Sequence, residues 1–433
     1  MSPNPEIILR DQLETLFLKV SNETQRNLKL QCFQKKATVV TGIRRCGKST
    51  LLRQHLMKTQ KQAKDGSSLP PFYLSFFDER ISDLKVQDLN DFIVAYGGLH
   101  EGRLPTQFLL DEIQLIEGWE NFVARLLENP NNEVYLTGSS SKLLSKEIAS
   151  SLRGRSIRYE LFPFAWSEYL PFRGFDSDKV NSSQKGKMNK MFLEYLQWGG
   201  FPETISVEVG AKQKILQEYF EVLLYRDLIE RNHFDRSSIA RKLLVTLIRM
   251  YGNKCSINQT HKKLTAEGLH VDKNALSDFV RWCEDAYILF SVRLWTSSEH
   301  RARTNPQKLY TADLGLAQAC ETWSDQNLGR RFENACFCFL RAQPDFLSLN
   351  YYITERGGEV DFIFENLAGQ RFLYQICWEL AAESKEREIT ALTEAMAELN
   401  LKKGYIVTFK QNETIKVASG QIQVISFDKF FKK

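Results

Sequence analysis

Nowhere in the 433 residues do eighteen apolar residues run together, which excludes a helix that crosses a bilayer. The opening MSPNPEIILRDQLETLF sets acids among its apolar residues and so lacks the basic start and unbroken apolar stretch of a secretory signal; a cytoplasmic protein is expected. Cysteine is dilute, eight in the whole chain and no CxxC pair. Cys336 and Cys338 flank a single Phe, a spacing that suits neither zinc nor an easy disulfide, so reduced, mostly buried thiols are expected. No repeat recurs at a fixed period, and low complexity is confined to short polar loops such as 61–68 and 181–187. Charge of one sign is also missing: 58 Lys and Arg against 53 Asp and Glu leave +5, too little on this length to indicate a nucleic-acid partner by itself. With 43% hydrophobic and 26% charged residues, the composition is that of a chain with proper cores, and the length predicts two to four domains.

What is present begins with alternation. From Ala37 to Tyr159, short apolar runs at 37–40, 71–77, 107–113, 133–139 and 156–162 are separated by amphipathic stretches, the pattern of a parallel sheet wrapped by helices. After Phe164 the periodicity changes to three and four residues, as in KMNKMFLEYLQWGG and QKILQEYFEVLLYRDLIERN, predicting a helical subdomain. Between about Ser237 and Ala312, three helical stretches precede two strands, FSVRLW and KLYTAD, suggesting a winged helix. From Leu328 a helix meets strands at LNYYITE, EVDFIFE, RFLYQICW and YIVTFK, with a helix KEREITALTEAMAELN between the last two. The expected division is 1–164, an α/β core; 165–236, a helical subdomain; 237–312, the winged helix; and 313–433, a terminal α/β domain.

The strongest local signal is Gly42-Ile43-Arg44-Arg45-Cys46-Gly47-Lys48-Ser49, a complete GxxxxGK[ST] that follows the strand ATVVT and opens the helix STLLRQHLM, ending on Thr50. In this Walker A arrangement the glycines let backbone N–H groups close on phosphates, Lys48 supplies a point charge to the β and γ oxygens, and Ser49 offers a hydroxyl to Mg²⁺. The run QFLLDE is a buried strand, so Asp111 emerges at its carboxyl end as the Walker B acid for the magnesium shell, and Glu112 is the candidate that polarises an attacking water; a solvated loop acid is the alternative for Glu112. Ser139, at the end of EVYLTGS, is a candidate γ-phosphate sensor, with Ser140, Ser141 and Thr137 competing and an N-cap role equally open. Arg153 and Arg155 are placed to serve as an arginine finger in a neighbouring subunit's site, or to make a local salt bridge. Cys46 raises the idea of redox-sensitive binding, although that loop position tolerates many residues.

These motifs resemble those of the AAA-type P-loop ATPases, and more narrowly the bacterial and archaeal ATP-binding proteins with a C-terminal restriction-endonuclease-like domain of unknown function. The resemblance rests on TGIRRCGKSTLLRQ, FLLDEIQLIEGWE, VYLTGSSSKLL, LRGR, ELFPFAWSEYL, YLQWGGFPE, YRDLIERN, KLYTADLGLA, LGRRFEN and GGEVDFIF, spanning nearly the whole chain. It implies a core sheet of strand order five-one-four-three-two, a helical lid, a winged helix and a nuclease-like terminal domain, with ATP hydrolysis, Glu112 activating water and Arg153 or Arg155 as the finger. A nuclease of that fold wants a helical Glu, an Asp after a turn and a strand reading (Asp/Glu)-x-Lys. Glu333 and Asp361 fill the first two, but Gln375 and Cys377 stand where the carboxylate and lysine belong, so an inactive site is expected, rescued only by a migrated lysine such as Lys385.

For DNA, the third winged-helix helix carries Lys273 and Arg281, with Lys262 and Lys263 on the helix before, and 293–308 holds Arg293, Arg301, Arg303 and Lys308 against Glu299; such a stripe is more often a solvated face. The function read from all this is an ATPase that uses Mg²⁺ and ATP to drive conformational change, with DNA bound through the winged helix and a homo-oligomer as possible settings. A nucleotide switch with little steady turnover and a DNA-binding effector are the alternatives.

Overall fold

The computed structural model describes residues 4–18, 24–62, 69–138, 152, 154–177, 181–321 and 323–432. Ser139, Ser140, Ser141 and Arg153 lie outside them.

The chain divides into two compact units, Met1–Leu161 and Phe162–Lys433. In the first, α1 (Pro5–Leu18) precedes β1 (Ala37–Thr41), α2 (Lys48–Gln62), β2 (Phe72–Ser75), α3 (Leu89–Leu99), β3 (Gln107–Asp111), α4 (Trp119–Leu126), β4 (Glu133–Gly138) and β5 (Ser156–Glu160). All five strands are parallel, in the order β2-β3-β4-β1-β5, the order implied by the resemblance. Central strands are covered on both faces, so ATVVT is wholly buried and QFLLD is buried beyond Gln107, mostly with apolar residues. Phe72, Leu74, Phe108 and Leu110 meet Phe92 and Tyr96 of α3 and Trp119, Phe122 and Val123 of α4 in one core. Parallel pairing also sets the carboxyl ends of β1, β3 and β4 along one edge, with Thr41 opposite Gly138.

The second unit opens with helices: α5 (Trp166–Phe172), α6 (Ser182–Trp198), α7 (Pro202–Ile205) and α8 (Val209–Val222). The sequence reads the end of α8 as continuous helix, but Leu223–Glu230 winds as a π-helix, burying Leu223, Leu224, Asp227 and Leu228. Then come α9 (Ser237–Arg249), β6 (Lys254–Cys255), α10 (Ile257–Ala266), α11 (Lys273–Asp285), β7 (Leu289–Leu294), α12 (Glu299–Thr304) and β8 (Gln307–Thr311), with β8 antiparallel to both β6 and β7. The remainder is α13 (Leu314–Cys320), α14 (Leu328–Arg341), β9 (Phe346–Ile353), β10 (Glu359–Asn366), β11 (Arg371–Ile376), α15 (Ala382–Glu398), β12 (Lys403–Thr408), β13 (Glu413–Val417), β14 (Gly420–Ser426) and α16 (Phe427–Phe430).

Strand β7 pairs in parallel with β9 at Arg293–Asn350 and Leu294–Tyr351. That pairing fuses the small sheet to the terminal one, giving nine strands in the order β13-β14-β12-β11-β10-β9-β7-β8-β6. One face packs Val360, Leu373, Ile406, Ile422 and Val424 against Leu392, Ala395 and Met396 of α15.

Candidate functional site

The turn between β1 and α2 is a backbone cradle. Gly42 sits at φ +152°, and a Cβ there would lie 2.1 Å from the Leu161 carbonyl oxygen, so no larger residue fits. Arg45 at +66° and Gly47 at +96° complete the reversal, and α2 starts on Lys48. Ile43 and Cys46 are buried, Arg44 reaches over the Phe77 ring (5.9 Å), Arg45 is exposed, and Ser49 and Thr50 are half-buried. The Lys48 ammonium, 6% exposed, donates to the carbonyls of Gly42 (3.1 Å) and Ile43 (3.2 Å) across the mouth of the loop. Burial raises the Cys46 thiol above its ordinary value despite Lys48 and Arg26 nearby, so it stays protonated and poorly reactive.

Opposite the loop, Asp111 is 6% exposed. Burial pushes its carboxyl up, and the Glu112 charge adds to this. Hydrogen bonds from Thr137 and Ser49 and the Lys48 charge act the other way. Three of the residues singled out by motif are therefore in one crevice: Lys48, Ser49 and Asp111. Thr137 donates to Asp111 Oδ1 and accepts the backbone N–H of Glu112 (3.0 Å), so one hydroxyl holds both acids. Tyr73 reaches Asp111 Oδ2 at 3.4 Å. Glu112 takes a left-handed backbone (φ +58°) and is 7% exposed, not a solvated loop acid; its Oε2 accepts from Gln114 Nε2. Arg155 is exposed just before β5, its carbonyl accepting from Ala37 N (2.9 Å). Motif reading did not anticipate the bonding of Thr137 or Tyr73, because contacts between parallel strands have no fixed spacing along a sequence.

The set fits a magnesium nucleotide. A lysine ammonium resting on loop carbonyls is a cation positioned for phosphate oxygens, and one Ser hydroxyl plus one carboxylate is the sparse protein shell Mg²⁺ takes when phosphates and water supply the rest. Among the described residues no three His, Cys, Asp or Glu side chains are grouped to hold a metal on their own.

A second cluster lies in the other unit. Glu333 of α14 and Asp361 of β10, the two nuclease-type acids, do converge, and Glu359 joins them, but the cation among them is Lys308 of β8. Its ammonium lies 3.1 Å from Glu333, 2.8 Å from Glu359 and 2.8 Å from Asp361, and the residue is 4% exposed. Lys308 is thereby removed from the basic stripe to which the sequence assigned it. Burial, then the Asp361 charge, raises Glu333 to about 7, and the Tyr310 hydroxyl donates to it (2.6 Å). Asp361 Oδ2 accepts from Ile376 N (2.9 Å), and Gln375 spans from the Asp361 N–H (3.2 Å) to Glu388 (2.7 Å). Lys385, the expected migrated lysine, instead pairs with Glu413 at the surface (2.7 Å). A cleft of about 850 Å³ borders the cage, lined by Glu359, Asp361, Glu386, Glu388 and Glu394 with Arg387. On the three-helix segment, Arg281 is paired with Asp278 (2.9 Å) and Arg303 with Glu299 (2.8 Å). No helix among the described residues is long and apolar enough to cross a membrane, and all eight cysteines are free thiols.

Comparison with known proteins agrees with the crevice. Residues 34–170 match the AAA domain family, and residues 189–327 match a domain of unknown function. The uncharacterized protein MJ1544 of Methanocaldococcus jannaschii is 32% identical over 400 residues, 92% of this chain and 86% of its own. An uncharacterized protein of Haemophilus influenzae is 26% identical over 355 residues, 81% and 84% of the two chains. Among solved structures, the Walker-type ATPase PABY2304 of Pyrococcus abyssi aligns with 70% of this chain and 99% of its own, at 16% identity and a TM-score of 0.40. With a P-loop, a buried acid strand and an AAA match on the same residues, residues 34–170 carry an AAA-type P-loop domain, and the chain belongs to the family of the archaeal MJ1544.

Proposed function

We propose that the chain binds Mg-ATP in the crevice between Gly42–Ser49 and Asp111 and hydrolyses it to drive conformational change. The observation that carries this is the convergence of Lys48, Ser49 and Asp111, with Thr137 linking Asp111 to Glu112. Loop N–H groups and Lys48 hold the phosphates, while Ser49 and Asp111 hold the metal, which when bound neutralises charge on the phosphate oxygens. Glu112 orients the attacking water and accepts its proton. Lys48→Ala should abolish nucleotide binding, whereas Glu112→Gln should keep binding and lose turnover by about two orders of magnitude or more; equal loss of both functions in both variants overturns these roles. Titration with labelled ATP and a steady-state phosphate assay measure the two.

A slow switch is the second reading, favoured by the Gln114 amide on Glu112. A carboxylate so engaged offers the attacking water fewer acceptor sites. The order α9, β6, α10, α11, β7, α12, β8 supports reading this segment as a winged helix, with α11 as its DNA-facing candidate. With Lys308 buried, any DNA contact falls to the exposed Lys262, Lys263, Lys273, Arg281, Arg293, Arg301 and Arg303. In a homo-oligomer, Arg155 or Arg153 is the candidate finger reaching a neighbouring nucleotide. The terminal segment we take as nuclease-like but inert, because an ammonium sits among its acids and Gln375 and Cys377 replace the remaining catalytic side chains.

A further inference from the structure

We propose that Arg26 is a positioning residue of the phosphate loop: its guanidinium holds the Cys46–Gly47 peptide so that the Gly47 N–H faces the bound phosphates. The inference rests on reading Gly42–Ser49 as the nucleotide site, and it names a residue outside the matched AAA segment 34–170.

Arg26 is 5% exposed, and a charge is buried only where partners hold it. Its Nη1 donates to the Cys46 carbonyl at 2.5 Å. The same nitrogen lies 3.1 Å from where a Cβ on Gly47 would stand, so the guanidinium is pressed against the loop backbone, and a side chain at 47 would push on it. The backbone around Arg26 is registered to the helix that carries the phosphate and metal ligands. The Arg26 N–H donates to Gln54 Oε1 (3.0 Å), and Gln54 Nε2 donates to the Thr24 carbonyl (2.9 Å), so one amide of α2 clamps 24–26 at two points. Lys48 and Ser49 begin that same helix.

In a planar trans peptide the C=O and the following N–H point in opposite directions. A donor that takes the Cys46 carbonyl therefore turns the Gly47 N–H the other way, towards the inside of the loop, where P-loops receive phosphate oxygens. Glycine is freer to rotate than any other residue type, so the peptide before Gly47 gains from an external hold. A full positive charge on the carbonyl also polarises the peptide and strengthens its N–H as a donor. Arg26 thus acts on the phosphates through the backbone, while Lys48 meets them directly.

The test uses the full chain as wild type, Arg26→Met, Arg26→Lys and Lys48→Ala, with titration of a fluorescent ADP, steady-state ATP hydrolysis and thermal melting of the ligand-free proteins. Arg26→Met should weaken ADP binding about tenfold to a hundredfold, the effect of losing one charge-assisted contact, with the change in KM rather than kcat. Arg26→Lys keeps the charge and should recover part of the loss; if the Met variant does not fold, an ADP affinity between wild type and Lys48→Ala in the Lys variant carries the test. Arg26 variants that bind ADP as tightly as wild type, while Lys48→Ala does not bind, overturn the role of Arg26 and leave the site standing. A wild type that binds no ADP, or a Lys48→Ala variant that binds it equally well, overturns the nucleotide reading and this inference with it.

Discussion

At the scale of single residues, the chain keeps several charges where water does not reach, and each makes a measurable claim. Lys308 faces three carboxylates, so Lys308→Met leaves an uncompensated acid cluster. Breaking a buried ion pair costs about 3–5 kcal/mol, to be read in denaturant unfolding of the second unit, and a loss below about 1 kcal/mol would contradict the cage. Asp313 accepts the N–H of Gly200 (2.7 Å) and of Gly315 (2.7 Å), yet burial dominates and raises its carboxyl from 3.8 to about 7. An acid whose folded pKa lies above its unfolded one binds its proton more tightly when folded, so its contribution is fully present below about pH 3.8 and is lost as pH rises through about 7. The stability advantage of wild type over Asp313→Ala should therefore shrink between about pH 4 and 7 and level off above; an advantage that grows over that range refutes the assignment. The roles of such residues are the least legible in a sequence. Lys308 reads as one more basic residue in a stripe, and only pairing of β8 beside the acid-bearing helix and strand reveals it as an internal cation.

At the scale of elements, legibility follows burial. The central parallel strands announce themselves because both of their faces are covered, leaving ATVVT and the FLL of QFLLD without a charged residue, and the P-loop announces itself because its glycines are dictated by backbone geometry. Strand β13 carries no such mark: largely exposed at the sheet edge, ETIKV alternates too weakly to be read. The π-helical stretch is equally silent, since LLYRDLIE spaces its apolar residues as any amphipathic helix would. The three-helix segment and the terminal strands read as separate domains because each has its own periodicity, whereas the β7–β9 pairing that makes them one sheet is a contact between residues 57 apart, Arg293 and Asn350. A fragment of residues 237–312 should then lack a cooperative unfolding transition, while 162–433 should show one by circular dichroism; cooperative melting of the short fragment would show the shared sheet to be dispensable.

At the scale of the whole molecule, two units imply two unfolding events and a way to ask whether one senses the other. A ligand that binds only the folded first unit stabilises it by mass action, about 2.7 kcal/mol at a hundred times its Kd. Calorimetry with saturating Mg-ADP should raise the transition of residues 1–161. If nucleotide state is transmitted as proposed, the second transition should move as well between ADP and a non-hydrolysable ATP; a second transition that ignores both nucleotides would argue for a first unit that works alone. Chelation separates the units in another way. If the crevice takes up magnesium as proposed, that ion is exchangeable, so a chelator should cancel the nucleotide effect. The acids around Lys308 are held by a cation tethered to the chain itself, one that no dialysis removes and no change of medium dilutes, so the second unit should keep its full stability in a chelator that cancels the nucleotide effect on the first.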